Sequence, residues 1–155
     1  VDTVFCCLGT TLKQAGSKIA QKKVDLEYCK NIAAYASNAG CTAFLLVSSI
    51  GASEQSASFY LRLKGALEAF LITCKFQHLY MFRPGVLLGF RKQFRLGEYL
   101  TKLMMLMITP LLIGPLAKYR AISAMVVAKA MLEVSKELPA QQYFDYHDIQ
   151  LHAKK

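Results

Sequence analysis

The chain has 155 residues, 54% of them hydrophobic and 19% charged, and a formal net charge of +9. A chain of this size and apolar content can build one packed core, so the composition excludes intrinsic disorder and predicts a single domain over residues 1–155. The basic residues are scattered from Lys13 to Lys155 instead of clustered. This pattern argues against nucleic acid as a partner, whereas an anionic cofactor or substrate would account for the charge.

Predicted strands and helices alternate through the first half of the chain. Residues 3–9, 43–49 and 79–82 form apolar runs without polar alternation, and each run predicts a strand buried on both faces. Between them, residues 22–39 and 59–72 carry apolar side chains at helical spacing, which predicts two helices. The stripes expected to face the core are Cys29, Ile32, Ala33 and Ala36 in the first helix and Leu63, Leu67, Phe70 and Leu71 in the second.

The second half continues this alternation. Further helices are predicted over residues 97–108 and 123–138, and a late strand over residues 141–146. Buried strands separated by helices of this length are typical of a parallel sheet with right-handed crossovers. The predicted fold class is therefore α/β.

The cysteines and the longest apolar stretch exclude several kinds of site. The five cysteines form an odd set without a C-x-x-C pair, which predicts reduced, buried thiols in a cytoplasmic protein and neither disulfides nor a metal site. The apolar stretch over residues 103–116 is shorter than the roughly 18 residues of a membrane-spanning helix and contains Pro110 and Pro115. We therefore predict no transmembrane segment. The cysteines are Cys6, Cys7, Cys29, Cys41 and Cys74.

The segment SFYLRLKG places Tyr60 and Lys64 on the same face of a predicted helix, with Cβ atoms about 5–6 Å apart. The preceding strand ends at Ser48 and Ser49, and the next strand ends in the sequence RPG. Because ligands of open α/β sheets bind at the carboxyl ends of the strands, these groups are expected to meet in one crevice. The alternative is that they are a solvated helix face, a strand cap and an ordinary turn.

Four motifs occur in a fixed order: VFCCLGTT, LLVSSIGA, YLRLK and FRPGVLLG. Together they resemble the short-chain dehydrogenase/reductase family, and within it the atypical branch of Tat-interacting-protein-like NAD(P)H-binding proteins, from Val4 to about Met131. The resemblance implies a Rossmann-like, doubly wound parallel sheet that binds NADP or NAD. It also implies that the N-terminal strands and the glycine-rich loop are absent from this chain, which we expect to be part of a longer protein.

The resemblance also assigns roles to individual residues. Tyr60 would act as the acid or base, Lys64 would lower the pKa of the phenol, and a serine would hold the substrate oxygen, with strand register slightly favouring Ser49 over Ser48. Asp25 stands where many members have an asparagine, which leaves proton relay at this position open. The catalytic candidates are Tyr60, Lys64, Ser49 and Ser48. The cofactor-binding candidates are Leu8, Gly9 and Thr10 on the adenosine side, Pro84, Gly85 and Val86 at the nicotinamide amide, and Tyr60 and Lys64 themselves.

Two functions of different classes follow from these assignments. The first is an NAD(P)(H)-dependent oxidoreductase that transfers a hydride to or from a small carbonyl or alcohol. The alternative is a non-catalytic NADPH-sensing module that a protein partner reads, and a homodimer is left open as well. A weaker third hypothesis is a protein that uses residues 99–116 to bind an apolar ligand or a membrane surface.

Overall fold

The computed structural model describes residues 2–88 and 119–155. Four parallel strands form the main sheet in the order β1-β2-β3-β6, and β4 and β5 form a separate parallel pair. The strands are β1 Thr3–Cys6, β2 Ala43–Val47, β3 His78–Phe82, β4 Leu87–Leu88, β5 Ile122–Ser123 and β6 Tyr143–Phe144. This parallel sheet with intervening helices confirms the predicted α/β class.

One long helical stretch replaces the first predicted helix. It begins four residues earlier than predicted, at Lys18, because the Ser17 hydroxyl accepts a hydrogen bond from the Ala20 N–H at 3.1 Å. It continues to Asn38 and contains a single π-helical turn. The helical elements are α1 Leu12–Ala15, α2 Lys18–Lys22, π1 Lys23–Tyr28, α3 Cys29–Asn38, α4 Phe59–Thr73, α5 Ala124–Glu137 and α6 Tyr146–His152.

Helices cover both faces of the sheet, as the Rossmann-like prediction requires. Phe44 and Leu46 of β2 point into one apolar cluster, where π1, α3 and α4 pack. Leu45 lies between them and points to the opposite cluster, which contains residues of α5 and α6. The alternation of side chains along a strand therefore fills two cores with one continuous apolar run.

Some details of burial differ from prediction. Ile32 is 39% exposed, because the contact line of α3 runs through Cys29, Ala33 and Ala36, and Phe70 is only partly buried. Cys7 is exposed because β1 ends at Cys6, and Cys7 is the first residue of the loop that follows. The expectation that all five thiols are buried was therefore wrong for Cys7, while Cys74 is half-buried and none of the five forms a disulfide.

The C-terminal segment also differs from prediction. The late strand contains only Tyr143–Phe144, because the Asp145 carboxylate accepts hydrogen bonds from the N–H groups of His147 and Asp148 and starts α6 instead. The sequence reading missed α6, the short α1 and the β4–β5 pair. The predicted helix over residues 97–108 and the apolar region over residues 99–116 lie outside the described residues.

Candidate functional site

The strands β1, β2 and β3 are parallel, so their carboxyl ends meet at one edge of the sheet. A cleft of about 680 Å³ opens at this edge, between the loops that follow the three strands and the first turn of α4. Of the ten predicted site residues, nine line this cleft: Leu8, Gly9, Thr10, Ser48, Ser49, Tyr60, Lys64, Pro84 and Gly85. The convergence expected from the sequence is therefore present in the structure.

Tyr60 and Lys64 lie on the first two turns of α4, where Tyr60 is half-buried and Lys64 is 3% exposed. The Lys64 Nζ lies 5.9 Å from the centre of the Tyr60 ring and donates a hydrogen bond to the Val47 carbonyl at 3.2 Å. Gly65 allows α4 to approach the loop after β2 closely, since a Cβ at this position would lie 2.3 Å from the carbonyl carbon of Ser53. The helix thus holds the ammonium directly at the carboxyl end of β2.

The pKa of Tyr60 is shifted in the direction opposite to the prediction. Burial raises the pKa of the Tyr60 phenol, the charge of Asp25 raises it further, and a hydrogen bond with Ser49 lowers it. The Lys64 ammonium, which was expected to lower this pKa, donates its hydrogen bond to the Val47 carbonyl. The isolated site therefore favours a protonated phenol at neutral pH.

The two serines have different partners. The Ser48 hydroxyl is buried and donates to a Glu68 Oε1, which also accepts from the Arg83 Nε at 3.0 Å. A second contact joins the Arg83 Nη2 to the Glu68 Oε2, and the hydrogen bond with Glu68 raises the pKa of Arg83. The Ser49 hydroxyl donates instead to the Ile50 carbonyl at 3.4 Å, and Ser49 is the serine that acts on the pKa of Tyr60. The structure therefore separates two residues between which the sequence gave only a slight preference for Ser49.

Glu68 was missed by the sequence analysis, although a signal was present. It lies one turn after Lys64 on the buried side of α4, where a carboxylate must find a partner. Its partner Arg83 comes from the end of β3, so the ion pair ties α4 to that strand end. An acidic residue within a predicted buried stripe could have indicated this network.

Asp25 joins the site from π1. It is completely buried, and its Oδ2 accepts a hydrogen bond from the Thr10 N–H at 3.0 Å. Burial raises the pKa of the Asp25 carboxyl, while the Thr10 N–H and the Lys64 charge act in the opposite direction. Asp25 also lines the cleft, so π1 contributes a titratable group to it.

Val86 is the one predicted site residue outside the cleft lining. Its side chain is 38% exposed, and its carbonyl accepts a hydrogen bond from the Ile122 N–H at 2.9 Å, beside the β4–β5 pair. Leu87 lines the cleft instead. The loops themselves are tied together, since the Ile50 N–H donates to the Pro84 carbonyl at 3.0 Å.

Two thiols meet beside the cleft, which the sequence analysis did not anticipate. A hydrogen bond with Cys29 lowers the pKa of the Cys6 thiol to about 7, against the effect of burial and with help from the Leu8 backbone and Lys64. The same contact and burial raise the pKa of Cys29. This pair arises because the end of β1 packs on the start of α3.

Within residues 2–88 and 119–155, no group of three or more histidine, cysteine, aspartate or glutamate side chains could hold a metal ion. Among the helices of those same residues, none combines the length and the apolar character needed to cross a bilayer.

Comparison with known proteins gives relatives over about 60% of the chain. The chain is 45% identical to Protein HTATIP2 of Rattus norvegicus over 101 residues, which are 65% of this chain and 41% of that protein. It is 43% identical over 93 residues to "Protein FMP52, mitochondrial" of Debaryomyces hansenii, covering 60% and 41% of the two chains. With the Saccharomyces cerevisiae protein of the same name, the identity is 39% over 103 residues, covering 64% and 45%.

The chain is a homologue of HTATIP2 and FMP52. These relatives are members of the Tat-interacting-protein-like branch, so the resemblance that the four motifs indicate is confirmed. The match with HTATIP2 and FMP52 spans about two fifths of the length of those proteins. No protein-family model matches the chain.

The names of the FMP52 relatives include the word mitochondrial. They therefore do not support the prediction of a cytoplasmic protein, which was based on the expectation of reduced thiols.

Proposed function

We propose that this HTATIP2 and FMP52 homologue is an NAD(P)(H)-dependent oxidoreductase of the short-chain dehydrogenase/reductase type, acting on a carbonyl or an alcohol. The observation that carries the proposal is the meeting of Tyr60, Ser49 and Lys64 in one cleft at the carboxyl edge of a parallel sheet. Homology to the branch that these motifs indicate supports the same chemistry.

Each of the three side chains has a distinct task in this proposal. Ser49 holds the substrate oxygen, and Tyr60, which keeps its proton at neutral pH, donates that proton as the carbonyl is reduced. When bound, the reduced nicotinamide supplies the hydride. We assign the oxygen-holding role to Ser49 and not to Ser48, because the Ser48 hydroxyl is engaged by Glu68.

Lys64 has the chemistry to hold the nicotinamide ribose. An ammonium has three N–H donors, and among the described residues only the Val47 carbonyl accepts a hydrogen bond from it. Two donors therefore remain for ribose hydroxyls. The volume of the cleft, about 680 Å³, is also within the range of roughly 300–1,000 Å³ that is usual for ligand pockets.

The remaining cofactor contacts are proposed from the cleft lining. Leu8, Gly9 and Thr10 would line the adenosine side, while Pro84 and Gly85 would present backbone groups to the nicotinamide amide, with Leu87 beside them in place of Val86. We propose NADP in preference to NAD, because the net charge of +9 favours the more anionic dinucleotide.

The test compares Tyr60→Phe with wild type in two measurements, NADPH and NADH binding by calorimetry and turnover of a carbonyl panel. Tyr60→Phe should bind cofactor like wild type and lose roughly 10²–10⁴-fold in turnover, because the proton donor is gone. Tyr35→Phe is the matched control, since Tyr35 is 76% exposed on α3.

Equal turnover in the two variants would contradict the role of Tyr60. Cofactor binding by wild type without turnover of any carbonyl would instead favour the NADPH-sensing alternative.

A further inference from the structure

One wall of the cleft carries an ammonium group that the fold itself does not use. Lys18 is the first residue of α2, and its exposed side chain lines the cleft. Its Nζ lies 5.6 Å from the centre of the Phe59 ring, yet within residues 2–88 and 119–155 it donates no hydrogen bond and forms no ion pair. Phe59 immediately precedes Tyr60 on α4, so the ammonium lies beside the turn that carries the proposed proton donor.

A second cation contacts the same ring, but its partners are already provided. The guanidinium carbon of Arg62 lies 5.9 Å from the centre of the Phe59 ring, and Nη1 donates to the carbonyls of Ser56 and Ala57 at 2.8 and 2.9 Å. Arg62 thus holds the loop before α4, and it lies outside the cleft lining. Lys18 differs in both respects, since it lines the cleft and its three N–H donors remain for a ligand.

The other charges of the cleft do not compensate Lys18. Of the residues that the structure describes, three charged side chains line the cleft: Lys18, Asp25 and Lys64. A Cβ at Gly9 would stand 3.2 Å from the Asp25 Oδ1 and 3.8 Å from the Lys64 Nζ, so the carboxylate of this lining lies near the Lys64 ammonium. Lys18 is left as a cation without an acidic partner in the cleft, and such a charge attracts anionic ligands.

Gln14 adds a second unused donor to the wall that carries Lys18. The Gln14 Oε1 accepts a hydrogen bond from the Thr11 hydroxyl at 3.2 Å, whereas the Gln14 Nε2 donates to no group of the described residues. Gln14, Thr11 and Lys18 all line the cleft. An ammonium and an amide N–H are donors that the two oxygens of a carboxylate can accept from together.

We propose that the substrate of this cleft is a carbonyl compound that also carries a carboxylate, and that Lys18 is the residue that selects it. The carbonyl oxygen lies at Tyr60 and Ser49, and the carboxylate pairs with the Lys18 ammonium beside the Phe59 ring. A few polar groups on an apolar wall are what fixes the orientation of a small ligand. The proposal rests on the oxidoreductase function proposed above and adds the substrate class to it.

The first test measures binding and needs no turnover. NMR titrations, with and without NADP⁺, compare the unreactive carboxylate pentanoate with its uncharged amide. Wild type should bind pentanoate roughly tenfold more tightly, as expected for a hydrogen bond to a charged group. Lys18→Met should lose this preference, because methionine keeps an unbranched apolar stem beside Phe59 and removes only the charge.

Lys30→Met is the matched control. Lys30 lies on α3, and its Nζ is 4.9 Å from the centre of the Phe70 ring, so it has the same kind of aromatic contact outside the cleft lining. The control variant has the same net charge as Lys18→Met and should keep the preference for pentanoate. Equal affinity of wild type for the two ligands, or an equal loss in both variants, would overturn the proposal.

The phosphates of the dinucleotide are a second source of negative charge, and calorimetry with NADPH distinguishes them. Lys18→Met should bind NADPH like wild type. Weaker NADPH binding in this variant, together with an unchanged preference for pentanoate, would assign Lys18 to the cofactor and overturn the proposal.

Turnover supplies the last measurement. Lys18→Met should raise KM for the oxo acid levulinate roughly tenfold and leave both kcat and the KM for methyl levulinate unchanged, because the ester has no charge to lose. A KM that rises equally for acid and ester would contradict the selection by charge. Binding of pentanoate through Lys18 without turnover of any carbonyl would overturn the oxidoreductase function and leave the carboxylate site in place.

Discussion

Two polar clusters lie at the same edge of the sheet and differ in how their hydrogen bonds are satisfied. In the cluster of Ser48, Glu68 and Arg83, both carboxylate oxygens of Glu68 accept hydrogen bonds. In the cluster of Asp25 and Lys64, one carboxylate oxygen has no partner among the described residues. The first cluster is fully paired and acts as a structural clamp, whereas the second keeps one hydrogen-bond acceptor unused.

The largest effect on stability is expected from Glu68→Ala. It removes the shared acceptor of the clamp and leaves the Ser48 hydroxyl and the partly exposed Arg83 guanidinium without it, which should cost roughly 2–4 kcal/mol in the free energy of unfolding. Urea denaturation measures this. Glu133→Ala removes an i,i+3 surface pair with Lys136 and should cost at most about 1 kcal/mol. Similar losses in the two variants would show that the clamp is not structural.

The two serines should separate stability from catalysis. Ser48→Ala should cost about 1–2 kcal/mol in unfolding free energy, because a buried hydrogen bond to a charged group is lost. Ser49→Ala should change stability by no more than about 0.5 kcal/mol but reduce turnover by roughly 10²-fold, since Ser49 lines the cleft with Tyr60 and would hold the proposed substrate oxygen. Urea denaturation and carbonyl turnover measure the two effects. A loss of turnover in Ser48→Ala together with a loss of stability in Ser49→Ala would contradict the assignment of the two roles.

The smallest expected effect is a pH dependence carried by Asp25. Burial raises its pKa above the ordinary value of 3.8, so the stability that its protonated form contributes is complete below 3.8 and is lost as the pH rises through the raised value. The side chain in Asp25→Asn cannot ionise. This variant should therefore become more stable relative to wild type as the pH rises through the raised pKa of Asp25. Unfolding free energies of both proteins at pH 3.5 and pH 8 provide the measurement. If the unfolding free energies of the two proteins differ by the same amount at pH 3.5 and at pH 8, the pKa of Asp25 is not raised.

Local patterns predicted most of the fold and most of the cleft. Unbroken apolar runs specified the interior strands β2 and β3, because a strand covered on both faces needs no polar alternation. The first run also forms a strand, but the prediction that it is buried on both faces was wrong, since β1 lies at the edge of the described sheet and Phe5 is 45% exposed. The spacing of Tyr60 and Lys64 placed them together because residues four apart on a helix share a face. The π turn and the capping box of Asp145 were missed, since each depends on backbone geometry that apolar periodicity does not reveal.

The sequence alone therefore determined the parallel α/β architecture and the set of side chains gathered at its carboxyl edge. Only the tertiary structure decided that Ser48 is engaged by Glu68 while Ser49 faces Tyr60, and that the pKa of Tyr60 is raised instead of lowered. Both outcomes depend on distances between segments far apart in the chain. Which polar groups become neighbours in the cleft depends on how these segments pack, and local sequence patterns do not reveal that packing.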